Sequence, residues 1–216
     1  IGITTKELDD IAYKEAKRLG AEPAFLGYLG YPASICVSIN EEIVHGIPGP
    51  RVIKNGDVVS IDFGVIHNGF VGDAAKTFVV GKTTDDVEHL ICYTKDALMS
   101  GIKTAVVGNR LHDISFAISS VAKKYGYGNI KNFCGHGIGK KMHEEPKVLN
   151  YVDKTQHNVR LQAGMVLALE PMFTLGTSDT VTLNDGWTVV TKDKSIACHQ
   201  EFSIAIFNSG PKILGV

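Results

Sequence analysis

The chain has 216 residues, with 22 Lys and Arg against 23 Asp and Glu, a formal charge of -1, 44% hydrophobic and 21% charged residues. This is the composition of a globular protein; it excludes a disordered chain, a coiled coil and a collagen-like fibre, and without a basic surplus nothing suggests nucleic-acid binding. The apolar run 163–169 stops at Glu170, well short of the ~18 residues of a membrane span, and no secretory signal pattern is visible, so a cytoplasmic protein is expected.

Thr4-x-x-Glu7 reads as a capping box opening a helix over 5–19, with Leu8, Ile11, Ala12 and Leu19 on one stripe and Gly20 at its end. A turn-rich loop, Tyr28-Leu29-Gly30-Tyr31-Pro32, precedes an alternating strand over 35–39. Residues 58–66 and 70–80 are β-rich and joined by His67-Asn68-Gly69, a hairpin signal. Amphipathic helices are predicted over 84–105 and 111–125, the second with Leu111, Ile114, Ile118, Val121 and Tyr125 on one face. Strands are predicted over 130–134, 165–175, 187–192 and 199–207. The four cysteines, Cys36, Cys92, Cys134 and Cys198, show no C-x-x-C spacing and are expected to be buried free thiols in a reducing compartment.

No linker divides the chain, so one domain over 1–216 is expected, but the sequence repeats within it. Ala16-Lys17-Arg18-Leu19-Gly20 returns as Ala122-Lys123-Lys124-Tyr125-Gly126. Gly56 and Gly164 each open an apolar strand that carries a carboxylate six residues on, Asp62 and Glu170. Asp73 and Glu201 follow downstream, and His45-Gly46 has a counterpart in His136-Gly137. The chain therefore reads as an α+β fold in two copies of one helix-plus-sheet unit, about 1–82 and 83–216. The second copy has two helices before its sheet and the first has one, which places a partner helix before Ile1.

Asp62, Asp73, Glu170 and Glu201 stand in apolar strands, where an unpaired carboxylate is costly to bury. Only Lys76 lies near in sequence. Divalent cations would neutralise such a set; four carboxylates with a histidine or two suit Mn²⁺, Fe²⁺, Co²⁺ or Zn²⁺ in a hydrolytic site. With two ions, at least one carboxylate must be shared. His45, His136 and His143 sit beside glycines or acids and are the candidate histidines; His199, two residues from Glu201, stays open. Gly135-His136-Gly137-Ile138-Gly139 lacks the Gly-Lys-Ser/Thr ending of a phosphate loop.

These segments resemble type I methionine aminopeptidases, among the two-metal hydrolases of pita-bread fold that include prolidase and aminopeptidase P. The likeness rests on Leu26-Gly27-Tyr28-Leu29-Gly30-Tyr31-Pro32, Asn40-Glu41-x-x-x-His45-Gly46-Ile47-Pro48, Asp62-Phe63-Gly64, Gly72-Asp73, Gly135-His136-Gly137-Ile138-Gly139, His143-Glu144-Glu145-Pro146 and Glu170-Pro171-Met172. It implies an internally duplicated α+β pita-bread fold with pseudo-twofold symmetry. It implies metal ligands Asp62, Asp73, His136, Glu170 and Glu201, with Asp73 and Glu201 bridging two divalent ions (Co, Mn, Fe or Zn). His45, His143 and Glu170 become catalytic, and Tyr28, Tyr31, Cys36 and Trp187 line a methionine pocket with His45 and His143. The implied reaction removes the initiator methionine from nascent polypeptides when the second residue is small, through a hydroxide activated by the two metals. The implied partners are nascent N-termini at the ribosome, and a monomer is expected. An Xaa-Pro peptidase of the same fold and a non-catalytic peptide-binding relative are the alternatives; the latter would typically lose metal ligands. Three departures mark the chain: the family's N-terminal helix is not in it, Met142 precedes His143 where bacterial relatives often have Phe, and Phe25 stands where a small residue or Cys is common.

Overall fold

In the computed structural model, which describes residues 1–215, Thr4 caps α1 (Thr5–Arg18) as expected: its Oγ1 accepts from the Glu7 N–H at 3.2 Å, and Glu7 Oε2 accepts from the Thr4 N–H at 2.7 Å. Leu8 and Ala12, one turn apart, pack on a core of Ile35, Val37, Ile39, Ile53 and Val59. Ile11 and Leu19 do not join them and are 56% and 59% exposed. An edge helix buries a narrow stripe, and its other polar anchor is Asp9. This buried carboxylate accepts the Ser34 and Ile35 N–H groups at 2.7 and 3.2 Å and so ties α1 to the next strand entrance.

The first half continues with β1 (Glu22–Pro23), a short 3-10 turn (Tyr28–Gly30), β2 (Cys36–Ile39), β3 (Glu42–Val44), β4 (Val58–His67) and β5 (Phe70–Val79). The β4–β5 turn is Asn68-Gly69 alone, with φ of +50° and +80°; two positive φ values are what a tight hairpin of this hand requires. The second half opens with α2 (Asp85–Thr104) and α3 (Leu111–Tyr125). Their facing stripes contribute the fully buried Leu90, Leu98, Leu111, Ile114 and Ile118 to the largest core. Tyr125 leaves that face and stacks on Tyr93, ring centroids 3.6 Å apart.

The remaining strands are β6 (Gly128–Asn129), β7 (Gly135–Gly137), β8 (Glu144–Val148), β9 (Val166–Leu169), β10 (Met172–Thr174), β11 (Thr180–Thr182), β12 (Val189–Thr191), β13 (Ala197–His199), β14 (Phe202–Phe207) and β15 (Gly210–Ile213). Here the sequence expectations need correction. Residues 130–134 form no strand; they connect β6 to β7. The runs 165–175 and 199–207 each break into two strands, at Glu170-Pro171 and at Gln200-Glu201. At the first break Pro171 brings no N–H to a ladder. Both breaks carry a candidate ligand. The cysteine expectation also needs amending: all four are free, but Cys92 is exposed and Cys134 half-buried.

Two sheets carry the site. One has the order β1-β4-β2 with β5 on β4, and the other runs β15-β14-β9-β7-β8. They meet along a seam between β5 and residues 199–203. Ala75 and Glu201 exchange both backbone hydrogen bonds, at 3.3 and 2.8 Å. On either side a hydroxyl clasps both backbone groups of the residue opposite. Ser203 Oγ accepts the Asp73 N–H at 3.1 Å and donates to Asp73 O at 2.8 Å. Thr77 Oγ1 accepts the His199 N–H at 3.0 Å and donates to His199 O at 2.7 Å.

Candidate active site

The seam aligns a lateral row of residues: His136 on β7 opposite Ala168 on β9, Ala168 opposite Ser203 on β14, Ser203 clasping Asp73 on β5, and Asp73 opposite Gly64 on β4. A second row pairs Cys36 with Asp62, Asp62 with Ala75, and Ala75 with Glu201. Asp62, Asp73 and His136 therefore arrive from three strands, and Glu201 from the break between β13 and β14. Glu170, at the β9–β10 break, is held by Asn150 Nδ2 donating to its carbonyl at 2.9 Å. The small residues between the functional ones are required sterically. A Cβ on Gly135 would stand 2.2 Å from Ala168 O, and one on Gly137 2.3 Å from Glu145 O, so only glycine lets β7 pass with His136 between them.

Ligand atoms of Asp73, His136 and Glu201 all lie within 4.8 Å of one another. His136 Nε2 is 3.8 Å from Glu170 Oε1. All four carboxylates line one cavity of about 200 Å³, and among the described residues no Lys or Arg lines it. Burial first, and repulsion from Asp73 and Glu170 second, push the Asp62 carboxyl well above the usual range. Burial raises Glu170 likewise, with Asp73 adding to it, and raises Glu201, where Asp73, Glu170 and Asp62 all contribute. Burial lifts Asp73 to about 7 against the hydrogen bonds it accepts. Four acids that oppose one another's ionisation with no cation among them form a destabilised arrangement. Asp62 Oδ1, Asp73 Oδ1 and Glu201 Oε1 are buried without any hydrogen-bond partner. This donor set fits divalent metal ions, which would supply the missing positive charge and partners for the orphaned oxygens.

Burial also keeps His136 neutral, its pKa lowered to about 4. Its Nδ1 lies 2.9 Å from Gly137 O, an obligate acceptor, so Nδ1 carries the proton and Nε2 keeps a lone pair toward the carboxylates. His199 completes this environment, and the sequence left it open. It is 2% exposed; its Nε2 lies 3.7 Å from Glu170 Oε2 and 4.0 Å from Glu201 Oε2 and has no hydrogen-bond partner. Burial lowers its pKa to about 3. Its position two residues before Glu201 was the available signal. His67, His89, His112 and His157 lie outside the cavity.

The rest of the wall is mostly aromatic and sulfur-bearing. Tyr28, Tyr31, Cys36 and Trp187 line it, together with His45, His143, Phe25 and Met142. Leu29, Phe133 and Cys134, which the sequence reading did not name, join them. Tyr31 and Trp187 meet edge to face at 5.0 Å, and the Tyr31 hydroxyl lies 3.1 and 3.0 Å from the Ile35 and Gly46 carbonyls. Asp185 accepts the Trp187 and Thr188 N–H groups, both at 2.9 Å, and so presents the indole. A Cβ on Gly64 would lie 2.5 Å from the Phe25 ring and 2.6 Å from Met142 Cε, so both departures from the family pattern close over this glycine. His45 takes the left-handed backbone (φ +61°) and turns its ring edgewise to Phe133 at 5.4 Å. His143 sits beside His136, ring centroids 4.4 Å apart, and its Nδ1 is 2.8 Å from the Tyr28 hydroxyl.

Residues 1–204 match the model of metallopeptidase family M24. The chain is 48% identical to the methionine aminopeptidase of Clostridium acetobutylicum, over 99% of this chain and 85% of that one. It superposes on the crystal structure of methionine aminopeptidase from Rickettsia prowazekii with a TM-score of 0.96 at 39% identity, covering 100% of this chain and 87% of that one. The prolidase of Pyrococcus furiosus shares the fold, at a TM-score of 0.79 and 24% identity, and this chain covers 56% of its length. The α+β architecture is thus the pita-bread fold. A buried acid cluster without a counter-cation and a likeness that spans the chain lead to one assignment: the protein belongs to metallopeptidase family M24, among the methionine aminopeptidases.

Proposed function

We propose that this protein releases the N-terminal methionine from polypeptides whose second residue is small, using two divalent ions held by Asp62, Asp73, His136, Glu170 and Glu201. The observation that carries the reading is the junction, in one small cavity, of a cation-deficient acid cluster with an aromatic and sulfur-lined wall. When bound, such ions supply Lewis acidity and lower the pKa of water toward about 7; Mn²⁺, Fe²⁺, Co²⁺ and Zn²⁺ all suit these donors. The chain's own groups do the rest. Glu170 accepts the proton of the attacking water and returns it to the leaving amine. His143 donates to the oxyanion that develops on the scissile carbonyl, and His45 contacts the scissile amide nitrogen. The carboxylates receive the free α-amino group, which confines cleavage to the first residue. An unbranched thioether suits the wall of Tyr28, Tyr31, Cys36 and Trp187, where sulfur–aromatic contacts add about 0.3–1.5 kcal/mol beyond burial. A large second side chain would meet His45 and the acid rim.

In this reading the enzyme is a cytoplasmic monomer that meets nascent chains as they leave the ribosome. No helix among the described residues is long and apolar enough to cross a membrane. The test is anaerobic purification with metal analysis, followed by a peptide panel. Met-Ala-Ser should be cleaved, and Met-Lys-Ser spared. Equal kcat/KM for Met-Ala-Ser and Leu-Ala-Ser would point to a broad aminopeptidase, and preference for Ala-Pro-Ala to an Xaa-Pro enzyme.

A further inference from the structure

We propose that Tyr28 is a positioning residue that sets the tautomer of His143, so that two neighbouring histidines of one site present opposite faces of their chemistry. The inference rests on the reading of His143 as an oxyanion donor. A neutral imidazole has one N–H and one bare nitrogen, and the partner of one nitrogen decides the state of the other. His136 and His143 lie with ring centroids 4.4 Å apart, yet their Nδ1 partners differ in kind. His136 Nδ1 faces a carbonyl, Gly137 O at 2.9 Å, which can only accept; the proton is therefore on Nδ1, and Nε2 offers a lone pair suited to a cation. His143 Nδ1 faces a hydroxyl, Tyr28 Oη at 2.8 Å, which can donate. When it does, Nδ1 is the acceptor and the imidazole proton resides on Nε2, where it can be donated to a developing oxyanion. The reverse arrangement would turn a bare nitrogen toward negative charge.

The loop around Tyr28 is built to hold the phenol there. Gly27, Leu29 and Gly30 all take positive φ, at +82°, +50° and +87°. The Tyr28 N–H donates to Phe25 O, the Tyr31 N–H to Tyr28 O, and the Gly27 N–H to Tyr31 O, at 2.9, 2.9 and 2.8 Å. The segment closes on itself, and the tilted rings of Tyr28 and His143 stand 5.5 Å apart. Tyr28 thus does more than wall the cavity.

Tyr28→Phe separates the two roles, because it keeps the ring and removes the hydroxyl. With Met-Ala-Ser, kcat should fall by about tenfold or more, approaching the 10²–10³ of losing an oxyanion donor outright, while KM stays within about twofold and metal content is unchanged. Tyr28→Leu, which also removes the wall, should raise KM as well. Histidine side-chain ¹⁵N spectra of the zinc-loaded enzyme give an independent readout: His143 should be the Nε2–H tautomer in the wild type and a mixture in Tyr28→Phe. An Nδ1–H tautomer in the wild type, or a kcat for Tyr28→Phe within twofold of wild type, overturns the proposal. A wild-type enzyme that releases no methionine instead overturns the functional reading, and the spectra still decide the tautomer.

Discussion

Asp73 shares the tightest part of the site with His136 and Glu201, and its repulsion is the cause, after burial itself, that raises each of the other three acids. Asp73→Asn keeps the shape and removes the charge. It should lose bound metal and at least about 10²-fold in peptide release, the scale of removing one strong electrostatic contributor; full activity with metal content unchanged would contradict the ligand assignment. His143→Ala should behave differently, losing about 10²–10³ in kcat with metal content intact. Metal analysis beside the kinetics separates the two, since a variant inactive through metal loss would make His143 a ligand. The four acids were legible in the sequence because a carboxylate in an apolar strand demands an explanation. His199 was not. Its role depends on β5, 122 residues away, whose Thr77 clasps its backbone and sets the ring between Glu170 and Glu201. Its place two residues before Glu201 hints at the site, but nothing local around Cys198-His199-Gln200 reports the contact with β5.

Strands that end at the acids are the working parts of the architecture. The sequence showed apolar runs over 165–175 and 199–207 but not their breaks, because periodicity registers burial and not the point where a ladder changes partner. β9 pairs with β14, while β10 beyond Pro171 pairs with β13, so Glu170 occupies the handover between two sheets. The helices were read to within a residue or two, since 20 and 15 residues of one period give a strong signal. The short strands β1, β3 and β11, of two or three residues, carry too little pattern to be seen. Two substitutions test this level. Gly135→Ala puts a methyl group 2.2 Å from Ala168 O, which forces β7 from β9; a stability loss of about 1–3 kcal/mol should appear in thermal melts, with metal affinity lowered as His136 shifts. Thr77→Val keeps the shape of the seam and removes its hydroxyl. About 1–3 kcal/mol should be lost for the unsatisfied His199 backbone groups, and a melt unchanged within 0.3 kcal/mol would show that the clasp is dispensable.

Across the whole molecule the acid cluster couples stability to cations and to pH. The buried carboxylates have folded-state pKa values raised above their unfolded ones, Asp73 to about 7. Without metal, such groups favour the fold while protonated, and that contribution is lost as pH rises through the folded pKa. The buried histidines act oppositely: His136 and His199, lowered to about 4 and about 3, cost stability as pH falls below ~6.5, where the unfolded chain takes up the protons. The two effects oppose each other below ~6.5, and only the carboxylates act above it. Chelator-treated protein should therefore lose Tm between pH 6.5 and 8, and added Mn²⁺ should abolish that decline; a flat profile without metal would mean that the acids are already neutralised. The seam has one more consequence, in the order of events during synthesis. Asp73 and Ser203 are 130 residues apart, and Asp62 and Asp73 leave the ribosome long before Glu201 exists to face them. At about 5–20 residues per second, the first sheet waits roughly 6–26 s with Asp62 on β4, Asp73 on β5 and the outer edge of β5 unpaired. The catalytic centre assembles only when the last strands arrive, so this chain can process the amino terminus of another molecule, or of its own finished copy, but never its own while it is still half made.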